Sequence, residues 1–206
     1  MDYEKINTPD ELYKFMSDNI NYGLLGKDNI EYFPLDNKKF QFACQNEWIL
    51  SSPKRLLECK LGHCWDQVEL ERDWFKSHNY NFKTIFIWFL FEEENSYPTH
   101  TYLIYQDKDK WNWFEHADYN NRGIHEFNNK HDAIVGQLKK YIEYVKEFNP
   151  VNEEVLKHLH IYEYNIPNYG CDMSEFIEHI INNSNDITCE FRKELNESID
   201  SKKSMG

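Results

Sequence analysis

Residues 82–116 read FKTIFIWFLFEEENSYPTHTYLIYQDKDKWNWFEH, and this stretch decides the fold. FKTIFIWFLF (82–91) is an unbroken run of β-branched and aromatic side chains, the pattern of a strand covered on both faces. Asn95-Ser96-Tyr97-Pro98 is turn chemistry. HTYLIY (100–105) predicts a second strand, Gln106 to Lys110 a polar hairpin loop, and WNWFEH (111–116) a third strand. Three consecutive strands with short turns predict an antiparallel meander.

Helix signals flank the meander. Upstream, Thr8-Pro9-Asp10-Glu11 supplies a cap, a proline at the first helical position and an acid three residues after the cap. With Leu12, Phe15, Met16 and Ile20 as an apolar stripe, it predicts a helix over 9–20. Ser52-Pro53 opens a short helix through Glu58, Gly62 breaks it, and Cys64 begins another that runs to Ser77. Downstream, a loop holding Gly123 leads to Asn129. That residue caps a helix from Lys130 to Phe148, stopped by Asn149-Pro150. Asp172 and Glu175 cap a last helix over 173–182. The class expected is α+β, as one domain over residues 1–192. A C-terminal helical extension covers 128–192, and the polar residues 193–206 form a tail that frays.

Composition narrows the function. The formal charge of −13 repels phosphate and anionic lipid, so neither nucleic acid nor a membrane surface is an expected partner. At 17% aromatic residues, the chain can bury a core despite its polar balance, which excludes global disorder. MDYEKINTPDELYKF lacks the apolar stretch of a signal peptide, and the longest apolar run, Ile85 to Phe91, is far shorter than a membrane span. Cys44, Cys59, Cys64, Cys171 and Cys189 are odd in number and irregularly spaced, which suits reduced thiols. The expectation is a soluble, cytoplasmic protein.

Three short stretches carry chemistry. Gly62-His63-Cys64-Trp65-Asp66 feeds a thiol into a helix start, where unpaired N–H groups and the helix dipole favour thiolate. Asp66 and Glu69 in the first turns oppose it. His100 begins one strand of the meander and Glu115 ends the next, so antiparallel pairing makes them neighbours. An imidazole beside a carboxylate has its tautomer fixed and its protonated form stabilised.

These residues resemble the transglutaminase-like cysteine enzymes, relatives of the papain-like fold. The likeness lies in Gly-x-Cys-Trp (62–65) at a helix start, then a strand opening with His100, then Trp-x-x-x-acid (Trp111 to Glu115). It covers about residues 45–127 in the order Cys, His, acid. The fuller strings LGHCWDQVELER, PTHTYLIY and WFEHADYNNRGIHEF are similar to a bacterial subgroup with this domain. The resemblance implies Cys64 as nucleophile, His100 as base and Glu115 in the place usually held by Asp, with Asp118 the other acid on that segment. It implies acyl transfer from an amide: a peptidase or amidase when water accepts, a transamidase when an amine does. The Cys64 N–H is then one oxyanion donor. Gln45, ahead of the Cys helix, is the candidate for a side-chain donor, and Trp65 or Trp48 could wall the acyl channel.

The substrate expected is a peptide, protein or small amide, with hydrolysis preferred because nothing encodes a second, amine-binding site. No cofactor and no metal are expected. A metal hydrolase built on His63, Cys64, His100, His116 and His125 is an alternative without H-E-x-x-H or paired C-x-x-C spacing behind it. A non-catalytic module that holds a peptide in an aromatic cleft of the same fold is the other.

Overall fold

The computed structural model describes residues 3–91, 98–148 and 155–203. The chain forms a 3-10 turn at Tyr3–Lys5, then α1 (Pro9–Asn19), β1 (Asn21–Tyr22), β2 (Leu24–Leu25), β3 (Glu31–Tyr32), α2 (Asn37–Asn46), α3 (Pro53–Cys59), β4 (Leu61–Gly62) and α4 (Cys64–Ser77). The central strands are β5 (Asn81–Phe89), β6 (Thr99–Asp107), β7 (Lys110–Glu115) and β8 (Gly123–Phe127). The chain ends with α5 (Lys130–Phe148), β9 (Leu159–Tyr164), α6 (Met173–Asn183), β10 (Asn185–Asp186) and α7 (Thr188–Lys203). The class is α+β, as the sequence predicts.

The predicted caps are present. Thr8 and Glu11 close a reciprocal capping box over α1, with Leu12, Phe15 and Met16 buried. Asn129 Oδ1 accepts the Asp132 N–H at 2.8 Å to start α5, and Asp172 and Glu175 form the box that opens α6. The turn at Asn95 to Tyr97 and the helix stop at Asn149-Pro150 lie outside the described residues.

The meander is real but is only part of the sheet. Six strands run β10-β9-β5-β6-β7-β8, every neighbouring pair antiparallel. The expected loop after residue 116 contains the edge strand β8, whose Ile124 stands opposite Phe114. The expected helical extension also supplies β9, which pairs with β5 along its length. Residues 193–203, expected to fray, continue α7; Phe191 and Leu195, one turn apart, anchor that helix in the core.

Strand alternation splits the core in two. Phe86, Leu103, Tyr105, Phe114, Tyr162 and Tyr164 pack with α1, α4 and α6 on one face. Ile85, Ile87, Phe89, Ile104, Trp113 and Ile161 pack with α5 and α7 on the other. Burial on both faces accounts for the unbroken apolar run of β5, since neither half of its alternation meets water. No helix among the described residues is long and apolar enough to cross a membrane.

Candidate active site

The placement of Cys64 starts with a close turn. Lys60, left-handed at φ 58°, ends α3 and turns the chain into β4. That strand lies parallel to β1, with Tyr22 in register with Gly62. A Cβ at Gly62 would stand 2.7 Å from Leu56 Cδ1 and 2.8 Å from Asp66 Cβ, so only glycine lets the chain pass. His63 then caps α4: its Nδ1 accepts the Trp65 N–H at 3.2 Å, and Asp66 takes the His63 N–H at 3.2 Å. Nδ1 also lies 3.2 Å from the Asp66 carboxylate. Burial lowers the His63 pKa, however, so the ring is neutral and acts as a cap rather than a cation. Cys64 follows at the first helical position, where its N–H has no intrahelical acceptor and the dipole is positive.

His100 and Glu115 meet across the hairpin. The Glu115 carboxylate is buried and fully engaged. Its Oε2 accepts His100 Nε2–H at 2.8 Å and Trp113 Nε1–H at 3.2 Å, and its Oε1 accepts the Asp118 N–H at 2.7 Å. With Nε2 committed, Nδ1 is the ring nitrogen left for Cys64. Burial alone would lower the His100 pKa. The charge of Glu115 and the hydrogen bonds with Cys64 and Glu115 outweigh it and hold the pKa well above its ordinary value. Tyr141 on α5 stacks over the imidazole at 5.4 Å and 23°. Glu71 on α4 is also buried; burial, then repulsion from Glu115, raises its pKa well above the carboxylate range. Both effects act against a second negative charge beside Glu115.

Cys64, His100 and Asp118 open on one cavity of about 700 Å³. Its wall also holds Tyr22, Phe33, Leu35, Arg122, Tyr141 and Tyr144. Burial first, then the nearness of Cys64, raises the pKa of both Tyr22 and Tyr141 well above the ordinary tyrosine value. Their hydroxyls stay protonated and can donate. None of these tyrosines was a site candidate in the sequence. Tyr141 reads as one more apolar position on α5, and Tyr22 lies on a two-residue strand that periodicity cannot detect.

Several expected residues fall elsewhere. Gln45 is exposed on α2 and absent from the cavity wall: α2 turns Ala43 inward, which sends a residue two positions on to the opposite side. Trp65 is core, stacked on Phe176 at 4.4 Å and 14°, and Trp48 packs edge-on against it at 5.0 Å. Asp66 is engaged by the loop before the helix. It accepts Ser51 N–H at 2.8 Å and Trp48 Nε1–H at 3.1 Å, tying the preceding loop to the helix start. Glu69 is answered by the Arg72 guanidinium at 3.0 and 3.3 Å. The Asp118 side chain caps the turn after β7 through Asn120 N–H and Asn121 Nδ2, so Glu115 rather than Asp118 reaches His100.

The remaining histidines are engaged separately. His116 Nδ1–H donates to Gln67 Oε1 at 2.7 Å, and Gln67 Nε2 donates to Gly62 O at 2.7 Å, which clamps the strand end to the Cys turn. Burial, then the charge of Arg122, lowers the His116 pKa to about 3. His125 Nε2 contacts Asn121 O at 2.8 Å. Among the described residues no group of three or more His, Cys, Asp or Glu could hold a metal ion. Neither a scan against protein-family models nor a search of curated proteins finds a match for the chain.

Proposed function

We propose that the chain is a transglutaminase-like thiol enzyme that cleaves an amide or peptide bond, with water as the acyl acceptor. The observation that carries the reading is a single cavity that reaches both Cys64 and a buried His100–Glu115 pair joined at 2.8 Å. A thiol at a helix start, with base and acid on adjacent antiparallel strands, supports a papain-like arrangement of the core.

The chemistry follows from the atoms. Cys64 passes its proton to His100 Nδ1, and Sγ adds to the amide carbonyl. The oxyanion is held by the Cys64 N–H and the Tyr22 hydroxyl, which replaces Gln45 as side-chain donor. His100 returns the proton to the departing amine as the C–N bond breaks, leaving a thioester. It then takes a proton from water, whose oxygen adds to the thioester carbonyl, and the thiol and a carboxylic acid are released. Glu115 holds the ring in the required tautomer. Its longer reach than Asp is fixed at both ends by Trp113 Nε1–H and Asp118 N–H. Water is favoured over an amine because no residue of the wall marks a second, amine-binding site apart from Asp118, whose carboxylate caps the turn after β7.

The test uses p-nitrophenyl acetate. A burst of one p-nitrophenol per chain, with the acetyl group mapped to Cys64 and abolished in C64A and H100A, is the expected result. Acetylation elsewhere, or none, overturns the enzyme and leaves the peptide-holding module.

A further inference from the structure

Arg122 stands on the same wall as Cys64 and His100, yet acyl transfer gives it no task. It is half-buried. Its Nε–H donates to His116 O at 2.6 Å, and its guanidinium carbon lies 5.2 Å from the centre of the Tyr119 ring. These two contacts fix the plane of the fork. Among the described residues its Nη groups make no hydrogen bond, and no carboxylate comes within ion-pair distance.

No carboxylate among the described residues answers this cation, in a chain with 36 acidic residues. A half-buried cation loses hydration, and a neighbouring carboxylate would normally offset that loss. Asp118 shares the wall but is turned to Asn120 and Asn121. A guanidinium anchored through Nε, with both Nη groups unengaged, presents the fork that a carboxylate takes bidentately. Apart from Thr99 and Asn120, the rest of the wall is apolar or aromatic, and at its mouth Phe33 is 43% and Leu35 101% exposed. Apolar side chains left uncovered around a pocket mark a ligand's body.

We propose that Arg122 anchors a carboxylate, so that the ligand of this cavity is an amide bearing an aromatic or other apolar body and a carboxylate group. Naming that ligand the substrate rests on the acyl-transfer reading; the anion site does not. The overall negative charge repels anions at long range, so the selection acts through short contacts at Arg122.

Two measurements separate the claims. In C64A, titration calorimetry compares N-acetylphenylalanine with its uncharged carboxamide. The carboxylate should bind about tenfold tighter or better, as a charge-assisted bidentate contact allows. The preference should vanish in C64A/R122Q and be only partly kept in C64A/R122K. In the unsubstituted protein, N-chloroacetylphenylalanine should alkylate Cys64 about tenfold faster than its carboxamide. No preference with Arg122 intact, a preference for the carboxamide, a preference that survives R122Q, or no binding of either compound overturns the anchor. A carboxylate preference in the titration without Cys64 alkylation keeps the anchor and removes the enzyme. Alkylation of Cys64 by both compounds at equal rates keeps the nucleophile and removes the anchor.

Discussion

Replacing Glu115 with Gln keeps the size of the side chain and removes its charge, and the contacts around the carboxylate set the consequences. It accepts three N–H groups, from His100, Trp113 and Asp118. An amide has one acceptor oxygen. If that oxygen faces His100 and Trp113, the new NH2 meets the Asp118 N–H. If it faces Asp118, the NH2 meets Trp113 and His100, and the imidazole must flip its proton to Nδ1. In the first case a buried donor is orphaned, at about 1–3 kcal/mol. In the second a donor is also orphaned, and His100 Nδ1, now protonated, can no longer accept a thiol proton. Breaking a buried ion pair outright costs about 3–5 kcal/mol. With one acceptor retained, we expect about 2–4 kcal/mol, or roughly 5–15 °C in Tm for a domain of this size. The His100 pKa falls, because burial still pushes it down and the charge of Glu115 no longer opposes that push. Iodoacetamide alkylation of Cys64 near neutral pH then slows by about 100-fold or more, the scale of a lost general base. Denaturant unfolding and peptide mass mapping read the two effects. A Glu115→Gln protein with unchanged stability and unchanged Cys64 alkylation would refute the role given to the pair.

Other contacts yield further expected outcomes. Gly62→Ala should cost about 1–3 kcal/mol by overpacking and slow Cys64 alkylation, since the added Cβ meets Leu56 and Asp66; unchanged values would show that the turn has room. Gly136→Ala gains about 1 kcal/mol of helix propensity. Its Cβ, however, would lie 2.5 Å from the Phe127 ring, so a net loss of stability is expected and a higher Tm would contradict it. His116 carries a pH signature. An unfolded histidine binds its proton near pH 6.5, while the folded His116 holds it off until about 3. Between these values the unfolded chain carries more protons, so stability falls as pH falls, by at most about 5 kcal/mol. His100 acts oppositely: its contribution is full below about pH 6.5 and is lost as pH rises through its raised folded value. Denaturant midpoints at pH 7 and pH 4.5 should therefore converge in His116→Asn relative to the unsubstituted protein; an equal gap would contradict the assignment.

What could be read from the chain was local. The caps of α1, α3, α5 and α6 lie within a few residues of the helices they start, and β5 to β7 succeed one another directly. Hairpin topology therefore brought His100 and Glu115 together without a structure. The parts that stayed hidden depend on distant partners. β9 enters the sheet beside β5 only after the chain has passed through α5, and no local pattern tells which edge it takes. β1 and β4 are two-residue strands, too short for alternation to appear, and they place Tyr22 beside the Cys turn. Gln45 was placed by its position before Cys64 alone, without knowledge of which way α2 faces. Trp65 comes directly after Cys64 in sequence, but helical rotation carries it into the aromatic stack with Phe176.

The central claim is that His100 activates Cys64. Burial pushes the Cys44 thiol up to about 12 and that of Cys171 up to about 11, and it also raises Cys59, while Cys189 is exposed. Limiting iodoacetamide at pH 6, with peptide mass mapping of all five cysteines, should show Cys64 alkylated well ahead of the rest. Its lead should be abolished in His100→Ala, with Cys189 unaffected. Cys64 reacting no faster than Cys189, or keeping its lead without His100, would contradict the claim.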